Sequence, residues 1–328
     1  MQPIAAPAAE PIRSPERRLH HLEKIVAVLA LVAVLALTAG FAQAQAPKKA
    51  KGGKAVSAKP RAPAEDPLDR LQREHPDKVF LRSNAVLVQD VQSGTTMLEK
   101  NGDAVLPIAS ITKLMTAIVV LDRGLDLEQR VVISDEDLDT LKGTGSRLRP
   151  GAVATRGELM LLALMASENR AAHALGRAFP GGVAAFVDAM NAKAQILGMN
   201  DSRFADPTGL SPANVSSPRD LAKLVQAAHE YPQIRDFSTR DAATVTVQGQ
   251  ELAYHNTNGL VRGGTWSIGL SKTGFINEAG RCLVMRARVA GRDLVLVLLD
   301  SVGKQSRLGD ANRIRKWLEA TAARRAAS

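Results

Sequence analysis

Three short motifs carry residue types able to perform acyl-transfer chemistry. Ser110-Ile111-Thr112-Lys113 sets a hydroxyl and an amine three positions apart, which puts both on one face of a helix. A serine hydroxyl is a weak nucleophile until an adjacent base activates it. A lysine can be that base only when neutral, and its ordinary pKa of about 10.4 keeps it charged at neutral pH. Burial and a second nearby cation both lower that value. Lys272, opening Lys272-Thr273-Gly274, is the expected second cation. Between the two motifs stands Ser167-Glu168-Asn169. There Ser167 would relay a proton and Asn169 would donate to a substrate carbonyl. A helix starting at Ser110 aims backbone N–H groups at developing negative charge. A strand edge carrying Lys272, Thr273 and Gly274 can pair with an extended peptide, and Gly274 permits close approach.

Each motif alone says little, and Ser301-Val302-Gly303-Lys304 repeats the first spacing. K-T-G is expected only about 0.06 times in this composition, and all three in this order less than about 0.01 times. The settings are also apt: a helix start, an interhelix loop and a strand end.

The elements that must position these residues follow from local pattern. Residues 84–91 are apolar and β-branched, Ser93-Gly94 turns the chain, and residues 95–100 return as a hairpin. Ile111, Leu114, Met115, Ile118 and Val119 recur at helical spacing after Ser110. Thr155 and Glu158 read as a capping box before a helix ending near 166. Further helices are expected over 170–178, 183–197 and 217–230, the last with Pro218 at its first position. Strands are expected at 244–247, 267–273, 282–289 and 294–299, with a last helix over 308–323. The expected fold class is α/β (α+β): an antiparallel sheet built from both chain ends and flanked by helices, with an all-helical middle. Residues 79–133 and 240–328 form the sheet part of the body, and 134–239 the helical part.

The chain has 328 residues, 45% apolar and 23% charged, within the globular range. Its net charge of +10 is uneven. Residues 1–44 carry +1 and residues 45–61 carry +6, leaving +3 for the rest. An apolar run over 25–39 follows basic residues and precedes Ala42-Gln43-Ala44 and Ala44-Gln45-Ala46. That is the pattern of a secretory signal, cleaved near Ala44 or Ala46, and implies a periplasmic protein. An uncleaved anchor is the alternative. Residues 45–78 then read as a basic disordered linker, with the folded body starting near Val79. Its lysines make it a candidate for weak electrostatic contact with membrane or wall. Aromatics at 3% argue against nucleic acid. No histidines stand at zinc-site spacing, so no metal site is expected.

Beyond the motifs, residues 106–117, 164–172, 191–210, 256–261 and 270–285 resemble the low-molecular-mass penicillin-binding proteins. Within that family the likeness is to D-alanyl-D-alanine endopeptidases of the penicillin-binding protein 7 type, and it covers roughly residues 79–320. The resemblance implies a β-lactamase/transpeptidase-like fold and a serine DD-peptidase acting on peptidoglycan peptide stems, with no cofactor. It makes Ser110 the nucleophile and Lys113 the base, with Ser167 and Lys272 passing a proton to the leaving amine. Asn169, Lys272, Thr273, Gly274 and Phe275 would bind substrate, and the N–H groups of Ser110 and Phe275 would form the oxyanion hole. β-Lactams would acylate Ser110. Carboxypeptidase relatives often have His after K-T-G, and a further β-domain. Phe275 at that position and only 29 residues after Leu299 favour the endopeptidase branch over the carboxypeptidase one. The rival from another class is an inactive wall-binding module of the same fold.

Other polar residues take plainer readings. His173 packs on its helix; His255 and Asn256 are undecided candidates for lining the cleft. Cys282 is a buried strand residue. Glu230 stands at a helix end, which leaves no glutamate suited to β-lactam hydrolysis.

Overall fold

The computed structural model describes residues 65–327; the expected signal and the basic run at 45–61 lie outside the described residues. The first element is a helix, α1 (Pro67–Glu74), inside the stretch expected to be linker. Its apolar content is low, and polar contacts hold it instead. Asp66 caps it, accepting from Leu68 N at 2.9 Å, with Pro67 at the first position. Asp69 pairs at 2.9 Å with the buried Arg313 of the C-terminal helix. The Asp66-Pro67 signal was there to read.

β1 (Ser83–Asp90) and β2 (Thr96–Lys100) form the expected hairpin. A 3-10 turn, Ala109–Ile111, then runs straight into α2 (Thr112–Asp122). The middle follows, and it is not all-helical as expected: Val153–Thr155 pairs with Arg130–Val132 and Val215–Ser216 with Leu106–Pro107, beside α3 (Arg156–Met165), α4 (Asn169–Arg177), α5 (Gly182–Ile196), α6 (Pro218–His229) and α7 (Pro232–Thr239). Thr155 and Glu158 make the expected capping box, and Ser217 caps α6 by accepting from Asp220 N at 3.2 Å. α7 was not expected, although Pro232 opens it.

β3 (Ala242–Val247) and β4 (Gln250–His255) pair only with each other, turning at Gln248-Gly249. This hairpin therefore stands apart from the main sheet, where the sequence reading had grouped it. β5 (Ser267–Ile276), β6 (Gly280–Val289) and β7 (Arg292–Ser301) complete the main sheet, in the order β2-β1-β7-β6-β5. The last helix is α8 (Ser306–Ala327).

Both faces of this sheet are buried, which explains why residues 294–299 are apolar without alternation. Val295, Val297 and Leu299 point into the cluster formed with α2 and the helical middle. Leu294, Leu296 and Leu298 point the other way, beneath Ile314 and Leu318 of α8. Asp310 locks α8 to β1, accepting from Ser83 N at 2.7 Å and Arg313 Nη2 at 2.6 Å. β5 is left as a free edge. Among the described residues no helix is long and apolar enough to cross a membrane.

Candidate active site

Helix α2 is buried from Thr112 to Val120. That is the first condition for perturbing an amine within it, and Lys113 is fully inaccessible to solvent. Its Nζ meets three oxygens: Ser110 Oγ at 3.0 Å, Asn169 Oδ1 at 2.7 Å and the Thr208 carbonyl at 2.6 Å. The last two can only accept, so they fix two N–H bonds of the amine. In the neutral amine the remaining tetrahedral position is a lone pair, and it faces the Ser110 hydroxyl. The geometry is that of a base set against its nucleophile.

The second motif lies in the turn between α3 and α4. Ser167 has φ +60°, and Ala109, just before the candidate nucleophile, has φ +47°. Neither is glycine, and each such conformation costs about 1–3 kcal/mol. Asn169 is held from its other end, donating to Thr144 Oγ1 at 3.0 Å. Thr144 belongs to a loop wound around Asp139, which accepts from Leu141 N, Lys142 N and Thr144 N at 2.8–2.9 Å.

The third motif runs along the free edge strand β5. Lys272 is 1% exposed. It donates to Ser167 Oγ at 2.9 Å and to the Thr273 carbonyl at 3.0 Å. Thr273 Oγ1 lies 2.6 Å from Thr257 Oγ1. Gly274 passes hard against the nucleophile turn: a Cβ there would stand 2.9 Å from the Ile108 carbonyl oxygen and 3.2 Å from Ser110 N. The Phe275 ring is half exposed, with the Arg281 guanidinium 4.5 Å from its centre. The structure thus gathers Ser110, Lys113, Ser167, Asn169, Lys272, Thr273 and Gly274 into one cleft, with Phe275 at its rim.

Burial pushes Lys113 down to about 7, and the carboxylates of Asp206, Glu168 and Asp139 keep it from falling further. Lys272 is pushed well below the ordinary lysine range, by burial first and then by repulsion from Lys113 and Arg307. Of the two expected causes, burial is the larger for both lysines, and their mutual repulsion adds to it.

Both shifts oppose folding at neutral pH. A lysine with a lowered folded pKa binds fewer protons folded than unfolded, so stability rises with pH between the two values. Lys272→Met is expected to stabilise the fold by about 1–2 kcal/mol at neutral pH, a rise of roughly 2–4 °C in Tm. That gain should shrink as pH approaches the unfolded lysine value. Acylation by penicillin should fall at least about tenfold. Thermal melts of both proteins at neutral and high pH check this; a lower Tm for the variant at neutral pH would refute the assignment.

Several participants escaped the sequence reading. Thr208, Thr144 and Thr257 supply a carbonyl or a hydroxyl that no motif marks. Arg307 donates from Nη1 to the Gly274 carbonyl at 2.8 Å and the Cys282 carbonyl at 3.2 Å, and burial lowers it to about 10. Nothing in its spacing linked it to the K-T-G strand. The plainer readings divide. His173 sits against Asp137 at 2.8 Å beside Arg177, in a polar network lining a cavity that Asn169 and Thr208 also line. His255 is exposed, while Asn256 is buried and ties its loop to the Ser238 and Arg240 carbonyls at 3.0 and 2.9 Å. Cys282 is fully buried, its thiol raised to about 11. In the second S-x-x-K spacing, Ser301 donates to Ser306 Oγ at 2.7 Å, and Lys304 is exposed. Glu230 is the exposed C-cap of α6.

Comparison with known proteins agrees with this geometry. Residues 72–303 match the peptidase S11 family, described as D-alanyl-D-alanine carboxypeptidase. A D-alanyl-D-alanine endopeptidase of Pseudomonas aeruginosa is 47% identical over 267 residues, covering 81% of this chain and 83% of that protein. One of Escherichia coli K12 is 45% identical over 241 residues, covering 73% and 78%. Among solved structures, the Streptomyces K15 DD-transpeptidase superposes with a TM-score of 0.68 at 28% identity, covering 73% of this chain and 98% of that one. The family match spans all three motifs and the whole main sheet, and the chain belongs to the peptidase S11 family of D-alanyl-D-alanine carboxypeptidases.

Proposed function

We propose that the protein is a serine DD-peptidase that cleaves D-alanyl bonds of peptidoglycan, with cross-links as its preferred substrate. The observation that carries this is the Ser110 hydroxyl 3.0 Å from an inaccessible lysine whose other two hydrogen bonds go to carbonyl oxygens. A peptide stem adds to the free edge of β5. Ser110 Oγ attacks the carbonyl of the penultimate D-alanine, and its proton passes to Lys113 Nζ. The C–N bond breaks, and the leaving amine takes a proton through the Ser167–Lys272 pair. Water then attacks the acyl-enzyme, gives up a proton and restores the Ser110 hydroxyl. The N–H groups of Ser110 and Phe275 receive the oxyanion, and Asn169 and Thr273 hold the substrate. A β-lactam enters the same sequence and stalls at the acyl-enzyme.

The preference for cross-links is supported by two relatives sharing almost half their residues with this chain, both named endopeptidases. The description of the family as carboxypeptidases supports the second reading, release of a terminal D-alanine. Under either reading the protein acts on the wall, which fits the export expected from the apolar run at 25–39.

Digestion of purified cross-linked muropeptide dimers, followed by mass spectrometry, separates these. Conversion of dimers to monomers is expected. Free D-alanine from monomeric pentapeptide, with dimers intact, would establish the carboxypeptidase reading. No product from either, and no penicillin adduct, would leave an inactive wall-binding module.

A further inference from the structure

We infer that Asp206 is a positioning residue for the general base: it shapes the loop that presents the Thr208 carbonyl to Lys113 and is one of the carboxylates around this lysine. The inference rests on the reading of Lys113 as the base.

The observation is a carboxylate accepting five hydrogen bonds from its own loop. Oδ1 takes Thr208 N and Thr208 Oγ1 at 2.5 Å each and Gly209 N at 2.8 Å. Oδ2 takes Ser211 N at 2.9 Å and Asn214 Nδ2 at 2.6 Å. A chain folded this tightly around one side chain has few alternative shapes, and its carbonyls point where the carboxylate directs them. Two of those carbonyls face α2. Pro207 O accepts from Thr116 Oγ1 at 2.7 Å, and Thr208 O accepts from Lys113 Nζ at 2.6 Å.

The same loop also braces the nucleophile. Gly209, at φ +79°, packs so closely that a Cβ would lie 2.0 Å from the Ala109 carbonyl oxygen and 2.9 Å from Ser110 N. No other residue fits there without moving the Ser110 turn. One carboxylate therefore registers the loop against both reacting groups. Misplacing such groups by about 1 Å costs about 100-fold.

The charges around Lys113 come from four directions. Asp206 stands in its loop, Glu168 precedes α4, Asp139 lies in the 139–145 loop and Lys272 on β5. The three carboxylates favour the ammonium form, with Asp206 foremost. Only the neutral amine accepts the Ser110 proton, so the acylation rate rises with pH through the Lys113 value. Removing the Asp206 charge lowers that value and moves the acid limb to lower pH.

The test is the pH dependence of penicillin acylation in Asp206→Asn, Thr208→Ala and the parent, with Tm measured for each. Asp206→Asn retains one carbonyl oxygen for Thr208 and Gly209 but turns an NH2 toward Ser211 N and Asn214 Nδ2. It is expected to slow acylation about 10- to 100-fold and to move the acid limb to lower pH. Thr208→Ala loosens the loop and keeps the charge; the rate should drop with the limb unmoved. A folded Asp206→Asn protein whose limb stays at the parental pH overturns the electrostatic part, whatever its rate. Parental rates in Thr208→Ala overturn the positioning part, and that readout stands even if Asp206→Asn fails to fold. Failure of the underlying reading looks different: the parent itself would form no adduct, or one without an acid limb.

Discussion

Ser110→Ala is expected to abolish covalent labelling by a fluorescent penicillin, with no residual band at any exposure time and a melting temperature close to the parent's. The loss should be complete because the bond in question is made to Ser110 Oγ. The other serine set against a buried lysine, Ser167, is assigned to proton relay, and Thr273 pairs with Thr257. The fold should survive because Lys113 keeps its contacts to Asn169 and Thr208. Gel fluorescence together with intact-protein mass measures this. A stable adduct of unchanged mass in the variant would move the nucleophile to another residue.

Lys113→Met is expected to slow acylation by about 10²–10⁴-fold, the usual contribution of a positioned general base. Methionine matches the length and burial of the lysine stem but accepts no proton. Its fold should be no less stable than the parent's, since a buried amine held near neutrality is exchanged for an apolar group. Lys113→Arg should be equally slow, because a guanidinium stays protonated and cannot serve as base. Near-parental rates in either variant would transfer the base role to Lys272, the other buried amine in the cleft. Stopped-flow labelling over a range of penicillin concentrations distinguishes slow chemistry from weak binding.

The candidate site was legible in the sequence to the degree that it depends on residue identity. Ser110, Lys113, Ser167, Asn169 and Lys272 have the types the proposed chemistry needs, and their motifs sit on the helix start, interhelix turn and strand that local pattern indicated. Contributions made by backbone were not legible. Thr208 acts through its carbonyl, which every residue possesses, and only the Asp206-Pro207-Thr208-Gly209 turn signal hinted that this loop has a defined shape. Causes of pKa shifts were legible in kind but not in rank: burial and a second lysine were both expected, and burial is the larger because α2 is covered on every side. The fold showed the same division. Apolar strands and capped helices were readable, whereas α1 rests on ion pairs to Arg313 some 240 residues away, as the Asp69–Arg313 contact shows. No local window contains that information. The hairpin at 242–255 was misplaced because a half-buried strand does not declare its partner.

The central claim is that Lys113, neutral near physiological pH, removes the proton from Ser110. The most direct measurement is the second-order rate of penicillin acylation of the full-length protein from about pH 5 to about pH 9. The account predicts a rate that falls tenfold per pH unit on the acid side, with a midpoint near 7, the value to which burial brings Lys113. A rate independent of pH across that range would contradict it.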